Sequence, residues 1–175
     1  MEIRTARLLL RRERADDVGA YFAILSDPRA MRYWSTLPHE DMTVTQAWLQ
    51  RSLDRQSTGG DNFAIELDGR LIGQVGAGRL PEFGFILAPD HWGQGYGYEA
   101  ASAYLAHAFA DPELEAVTAD VDPRNAASLR LLERLGFAVT GHAERTFLLG
   151  DEWCDSVYLA VTRQSWLERE DGLHG

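Results

Sequence analysis

The sequence holds a single cysteine, Cys154, so neither an internal disulfide framework nor a multi-cysteine zinc site can be built from it. It also lacks any excess of positive charge. Seventeen Lys+Arg stand against 27 Asp+Glu, a formal charge of -10, which leaves nothing with which to grip nucleic acid or an anionic lipid surface. No run of about twenty apolar residues occurs, the length a membrane-spanning helix needs. The opening MEIRTARLLLRR has too short an apolar run, and too many arginines, for a signal peptide. The five histidines show no metal-ligand spacing such as His-Glu-x-x-His, and low-complexity tracts and repeats are absent. These absences predict a cytoplasmic protein without metal, nucleic-acid partner or membrane contact. What is present is a chain of 175 residues, 45% hydrophobic and 25% charged, enough for one sizeable core. A single domain over residues 1–175 is expected, as monomer or homodimer.

Periodicity supplies the elements. RLLLRR (residues 7–12) reads as a short strand, followed by a helix opened by Asp16 or Asp17 and closed before Pro28. A second helix is predicted over about residues 43–55, where Val44, Ala47, Trp48 and Leu53 recur at helical spacing. In NFAIELDGRLIGQVGAG two strands flank Asp68-Gly69, a dipeptide suited to a type I′ hairpin turn. PEFGFILAPD is an apolar strand ended by Pro89, and a helix over about residues 96–110 comes next. EAVTADVDP reads as a strand, NAASLRLLERLGF as a helix ended at Gly136, and FAVTG and CDSVYLAVT as two strands around a turn at LLGDEW, before a short polar tail. The expectation is therefore an α/β (α+β) fold with both antiparallel and parallel pairings, about six or seven strands and about four helices.

Between the third of these apolar segments and its helix lies HWGQGYGYEA, with Gly93, Gly95 and Gly97 at alternate positions. A strand, a glycine-rich turn and a helix N-terminus together make an anion site, because orphan N–H groups and the positive end of the helix dipole converge where no Cβ intervenes. Permitting a tight turn is the simpler use of the same glycines. Two phosphate-binding patterns fail on their letters. The loop ends Gly97-Tyr98-Glu99 and so lacks the Gly-Lys-[Ser/Thr] of a Walker A loop, and Tyr98 stands where a dinucleotide fingerprint counted from Gly93 needs glycine.

The segments EFGFILAPDHWGQGYGYEA and DVDPRNAASLRLLERLGF together resemble the acyl-CoA-binding core of the GNAT N-acetyltransferases, and in particular the RimJ/RimL-type branch that acetylates protein N-termini. ARLLLRRERADDVGAYFAILSDPRAMRYW resembles the opening strand and helix of that branch, and LLGDEWCDSVYLAVTRQSW its closing hairpin. The resemblance covers nearly the whole chain. It implies the GNAT fold, a mixed central sheet with splayed parallel strands, and acetyl-CoA as the co-substrate. The family's pyrophosphate loop, [Arg/Gln]-x-x-Gly-x-[Gly/Ala], falls on Trp92, Gly93, Gln94, Gly95, Tyr96 and Gly97, with Trp92 departing from the pattern at its first position. By the same resemblance Phe85, Ile86 and Leu87 run beside the pantetheine arm and Asn125 hydrogen-bonds it. Asn125 is equally well placed as a helix N-cap after Asp-Pro-Arg.

The chemistry so implied is direct attack of an amine on the thioester through a tetrahedral intermediate. An α-amine, with a pKa near 8, needs less help from a base than a lysine side chain near 10.4. Glu82, where the branch commonly has an acidic residue, is the candidate base, with an ordinary exposed carboxylate as the alternative. A backbone N–H of the Phe85–Leu87 strand would hold the oxyanion. The tyrosine that many GNAT enzymes carry seven residues after the asparagine is replaced by Leu132. The resemblance to the RimJ/RimL-type branch implies Ser128 as the general acid instead, with an ordinary helix-surface serine as the alternative. For the amine acceptor, Tyr33 and Trp34, with His39 nearby, and Phe147 and Trp153 are the candidate walls. A basic protein N-terminus, a polyamine or an aminoglycoside would suit the acidic surface. Cys154 is expected to be a buried structural thiol.

Overall fold

A computed structural model describes residues 1–173, which fall into two compact units, Met1–Tyr104 and Leu105 onward. In the first unit five strands follow one another in sheet order, each antiparallel to the next: β1 (Glu2–Arg4), β2 (Leu9–Arg11), β3 (Asp61–Leu67), β4 (Arg70–Arg79) and β5 (Glu82–Leu87). At the turn between β3 and β4, Asp68 (φ 48°) and Gly69 (φ 77°) both take the left-handed conformation that a type I′ turn requires, as the dipeptide predicts.

Helices α1 (Val18–Leu25), α2 (Pro28–Met31) and α3 (Met42–Ser57) pack on this sheet. Asp41 starts α3 by accepting the Thr43 and Val44 N–H groups at 2.8 and 3.2 Å. A core cluster joins Tyr21, Ile24, Leu25, Met31, Leu49, Ala64 and Ile86, so that α1, α2 and α3 are seated on β3 and β5 by side chains from all five elements. Beside it lies a buried polar knot. The Glu13 carboxylate, 4% exposed, accepts from the Tyr21 hydroxyl (2.9 Å), Gln74 Nε2 (2.7 Å), Ser52 Oγ (2.5 Å) and Gln56 Nε2 (3.0 Å). Burial, and then the nearby Glu13 charge, push the Tyr21 hydroxyl pKa well above its ordinary value, so this group stays a donor.

Helix α4 (Tyr96–Ala108) carries the chain onward from the first unit. The second unit holds β6 (Ala116–Val121), α5 (Ala126–Arg134), β7 (Ala138–Leu149), β8 (Glu152–Thr162) and α6 (Arg163–Leu173), with β8 between β6 and β7 and antiparallel to both. Val117, Ala119 and Val121 of β6 lie directly opposite Val161, Leu159 and Val157 of β8, and all six are buried, as are Leu132, Leu135 and Phe137. Gly136, at φ 91°, ends α5 in the left-handed cap its position predicts.

Eight strands and six α-helices are present among the described residues, where the sequence predicts about six or seven strands and about four helices. β1 and α2 are three and four residues long, too short for any period to show. The segment expected to be a polar tail forms α6. Its anchor is Trp166, 2% exposed with its ring 6.0 Å from that of Phe109. A buried aromatic among mostly polar neighbours leaves no periodic signal.

Candidate active site

β5 delivers the chain to the glycine loop. A strand presents its N–H groups to alternate sides, and the Ala88 N–H donates to the Ile72 carbonyl of β4 at 2.8 Å. The Ile86 amide is therefore committed to β4 as well, opposite Gln74, whereas the amides of Phe85 and Leu87 point away from β4. Of the three strand residues that the family resemblance places beside the pantetheine arm, Phe85 and Leu87 are the two whose amides are not spent on β4. Ile86 contributes its side chain to the core instead.

After a short 3-10 turn at Pro89–His91, the Trp92 indole Nε1–H donates back to the Leu87 carbonyl at 3.0 Å, and Gln94 Nε2 donates to the Asp90 carbonyl at 3.1 Å. Trp92, half exposed, is thus held by its ring nitrogen while its backbone opens the loop. Gly93 and Gly95 take φ values of 71° and 84°, the left-handed region that side chains rarely enter, and a Cβ on Gly93 would meet open space. The Gly95 carbonyl accepts the Glu99 N–H at 3.0 Å, which closes the first turn of α4. Gly97, by contrast, is buried inside that turn with ordinary helical backbone. Two of the three glycines are therefore required by conformation, and they lie where a helix leaves its first amides without intrahelical acceptors. The donor set suits a diphosphate: backbone N–H groups and a helix dipole, with the approach at Gly93 clear of side chain.

A clamp that the sequence conceals sits under this loop. Arg7 donates through Nη1 to the Gln94 carbonyl (2.9 Å) and through Nε to Glu99 Oε2 (2.7 Å), and its guanidinium lies 4.4 Å from the centre of the Tyr96 ring. The Thr5 hydroxyl and the Arg7 N–H complete the hold on Glu99 at 2.6 and 2.9 Å. In the sequence the clamp shows only as an acidic residue, Glu99, in the first turn of the helix behind a glycine-rich loop.

Glu82 is exposed at the start of β5, opposite Arg79. At ~3.3 Å per residue it stands roughly 16 Å along the strand from Leu87 and the loop. Tyr33 and Trp34 follow α2. Trp34 packs against the core cluster, and Tyr33 lies 5.0 Å from the Arg32 guanidinium. His39 is buried, its Nδ1 hydrogen-bonded to Thr45 Oγ1 at 2.8 Å. Burial and then Arg51 hold its pKa below the ordinary histidine value, so it is a neutral packing residue.

In the second unit Asn125 is the N-cap of α5. Its Oδ1 accepts the Ser128 N–H at 3.2 Å, and its own N–H donates to the Asp122 carbonyl at 2.9 Å. Asn125→Ala is expected to lower the unfolding free energy by about 1 kcal/mol, as for other N-caps, which urea denaturation would register. Ser128 is half-buried one turn into α5, and Leu132 is buried at 1% exposure, part of the apolar face of α5. Beneath the cap, Arg124 grips both oxygens of buried Asp122 and reaches Glu152 Oε1 at 2.5 Å. Cys154 is buried next to this group, 3.7 Å from Arg124 Nη2. Burial, then Asp122 and Glu152, raise its thiol pKa, which suits a structural role and opposes a thiolate nucleophile.

The hairpin residues divide. Phe147 lies opposite Cys154 and Leu148 opposite Trp153, and because neighbours along a strand alternate sides, Phe147 and Trp153 face opposite surfaces. Trp153 is 46% exposed, with Arg145 at 4.9 Å from its ring. Among the described residues no group of three or more His, Cys, Asp or Glu is placed to hold a metal, and no helix is long and apolar enough to cross a membrane.

Residues 7–138 match the acetyltransferase (GNAT) domain, a stretch that takes in β2, β5, the glycine loop and the α5 cap. An uncharacterized N-acetyltransferase of Bacillus subtilis, YnaD, is 28% identical over 95% of this chain and 99% of its own length. A GNAT-family acetyltransferase from Bacillus anthracis superposes with a TM-score of 0.80 at 27% identity, over 94% of this chain and 99% of that one. The same fold is shared, at lower identity, with two solved complexes. One is the spermidine N-acetyltransferase of Vibrio cholerae with CoA and spermine (TM-score 0.80, 22% identity, 93% of this chain and 99% of that one). The other is RimL, an L7/L12 α-N-protein acetyltransferase, with CoA (TM-score 0.82, 18% identity, 93% and 98%). With its motifs in the family's order, and a domain match over most of its length, this chain belongs to the GNAT acetyltransferase family.

Proposed function

We propose that the protein transfers the acetyl group of acetyl-CoA to a primary amine and that, as in the RimJ/RimL-type branch, the acceptor is a protein or peptide N-terminus. The observation that carries the donor assignment is the loop: two left-handed glycines at the mouth of α4, with the indole of Trp92 and the guanidinium of Arg7 fixing their neighbours. Acetyl-CoA supplies the activated thioester. The loop amides receive its diphosphate, and the Phe85 and Leu87 amides, which face away from β4, are assigned to its extended arm and to the oxyanion. Glu82, at the far end of β5 from the loop, takes a proton from the acceptor's ammonium, directly or through water, so that the neutral amine attacks. Asn125 serves the pantetheine arm through the side-chain amide nitrogen that its capping role leaves to one side. Ser128 protonates the departing thiolate, a modest demand because a thiol pKa lies only slightly above neutral. Leu132 has no proton to give.

A screen of acetyl-CoA consumption against ribosomal-protein N-terminal peptides, spermidine, aminoglycosides and free amino acids tests the assignment. Turnover with peptides supports it, whereas turnover confined to spermidine or another small amine replaces the acceptor with one equally suited to a chain of charge -10. Thermal stabilisation by CoA with no acceptor acetylated marks a sensor of acyl-CoA. Ser128→Ala at saturating acetyl-CoA is expected to lower kcat by about tenfold or more. An unchanged kcat would remove Ser128 from the chemistry.

A further inference from the structure

Glu99 poses an electrostatic problem for the site just described. It stands in the first turn of α4, where the helix dipole and free amides favour an anion, and a carboxylate there competes for the place a diphosphate would take. The structure disarms it. Glu99 Oε1 accepts from the Thr5 hydroxyl and the Arg7 N–H, and Oε2 accepts from Nε and lies 2.7 Å from Nη2 of the same arginine. Burial alone would raise the Glu99 pKa. The hydrogen bonds from Thr5 and Arg7, with the arginine's charge, outweigh it and hold the carboxyl below its usual range, so the charge is present and needs its partner. Nη1 of the same guanidinium fastens the Gln94 carbonyl between the two left-handed glycines, and its plane covers Tyr96. One fork therefore spans the loop and the helix start, a geometry that suits guanidinium and not ammonium.

We propose that Arg7 is a positioning residue for the diphosphate loop: it cancels the Glu99 charge and pins the Gln94 carbonyl, so that the amides of residues 93–97 are presented already aimed. This rests on the assignment of that loop to the diphosphate of CoA. It differs from direct phosphate binding by Arg7, because Nε and Nη2 are turned to Glu99 and Nη1 to the Gln94 carbonyl.

The test measures CoA and dephospho-CoA binding by calorimetry for the full-length wild type, Arg7→Met, Glu99→Gln and the double variant, with a thermal midpoint for each. Arg7→Met is expected to weaken both ligands by about tenfold, because it leaves a carboxylate unpaired at a helix N-terminus. Adding Glu99→Gln is expected to recover at least about threefold of that loss. Arg7 is 45% exposed, so Arg7→Met should fold. Should it not, Arg7→Gln, which keeps a donor and most of the length, carries the same comparison. Three results overturn the inference: an Arg7 variant that binds CoA as wild type does, a loss seen with CoA but not with dephospho-CoA, which would place Arg7 on the 3′-phosphate, or a double variant no better than the single. Failure of the wild type to bind either ligand would instead overturn the assignment of the loop.

Discussion

Gly95→Val is expected to weaken CoA binding by about a hundredfold or more while the protein stays folded, an effect equivalent to two hydrogen bonds to a charged ligand. Gly95 sits at φ 84°, a conformation in which a β-branched residue is a steric outlier costing of order 1–3 kcal/mol. Its new Cβ would also come within 3.3 Å of Arg7 Nη2. The chain relieves both by leaving the left-handed region, which rotates the flanking peptide planes and re-aims the amides at the mouth of α4. The helix itself remains seated, because Ala100, Ala101, Tyr104 and Leu105 are fully buried and lie beyond the loop. Calorimetric titration with CoA, paired with thermal unfolding, separates the two effects. A valine variant that binds CoA within about threefold of wild type would show that the backbone of this loop does not carry the diphosphate.

Glu13→Leu has the largest expected effect on stability. Its carboxylate is the common acceptor for Tyr21, Ser52, Gln56 and Gln74, with Asn62 joined through Ser52, and all but Gln56 of these partners are buried. An isobutyl group leaves at least three donors without an acceptor inside the first unit, a loss of about 4 kcal/mol. For a chain of this length that corresponds to a fall of roughly 8–16 °C in the midpoint of thermal unfolding. Glu13→Gln keeps one acceptor oxygen and should lose less. A leucine variant as stable as wild type would mean that water or repacking satisfies the donors, and that the knot is not what joins α1 and α3 to the sheet.

The hairpin, the helix starts and the glycine loop were legible because each is set by the steric demands of a few consecutive residues. Asp68-Gly69 forms its turn, Gly136 caps α5, and Asn125 caps the same helix at its other end. The elements that escaped notice are those whose stability comes from outside their own residues. α6 is anchored by buried Trp166, and β1 is three residues paired to β2. Aromatic content alone could not sort the acceptor candidates. Trp34 belongs to the edge of the core, while Phe147 and Trp153 are sent to opposite faces by a register that shifts at Ala143–Phe147, where the Arg145 N–H bonds the Asp155 carboxylate.

By itself, the amino-acid sequence determined two local features: backbone bared at Gly93 and Gly95 ahead of a helix, and Asn125 opening another, both consequences of allowed φ/ψ and of amides that need acceptors. Tertiary structure alone decided how that backbone is held. Arg7 and Glu99 are 92 positions apart, and Glu13 gathers donors as far away as Gln74. Charge and hydrogen-bond partners act through space over a few ångströms, so which carboxylate is neutralised, and which amide is left to a ligand, depends on where the chain returns and not on the letters beside it.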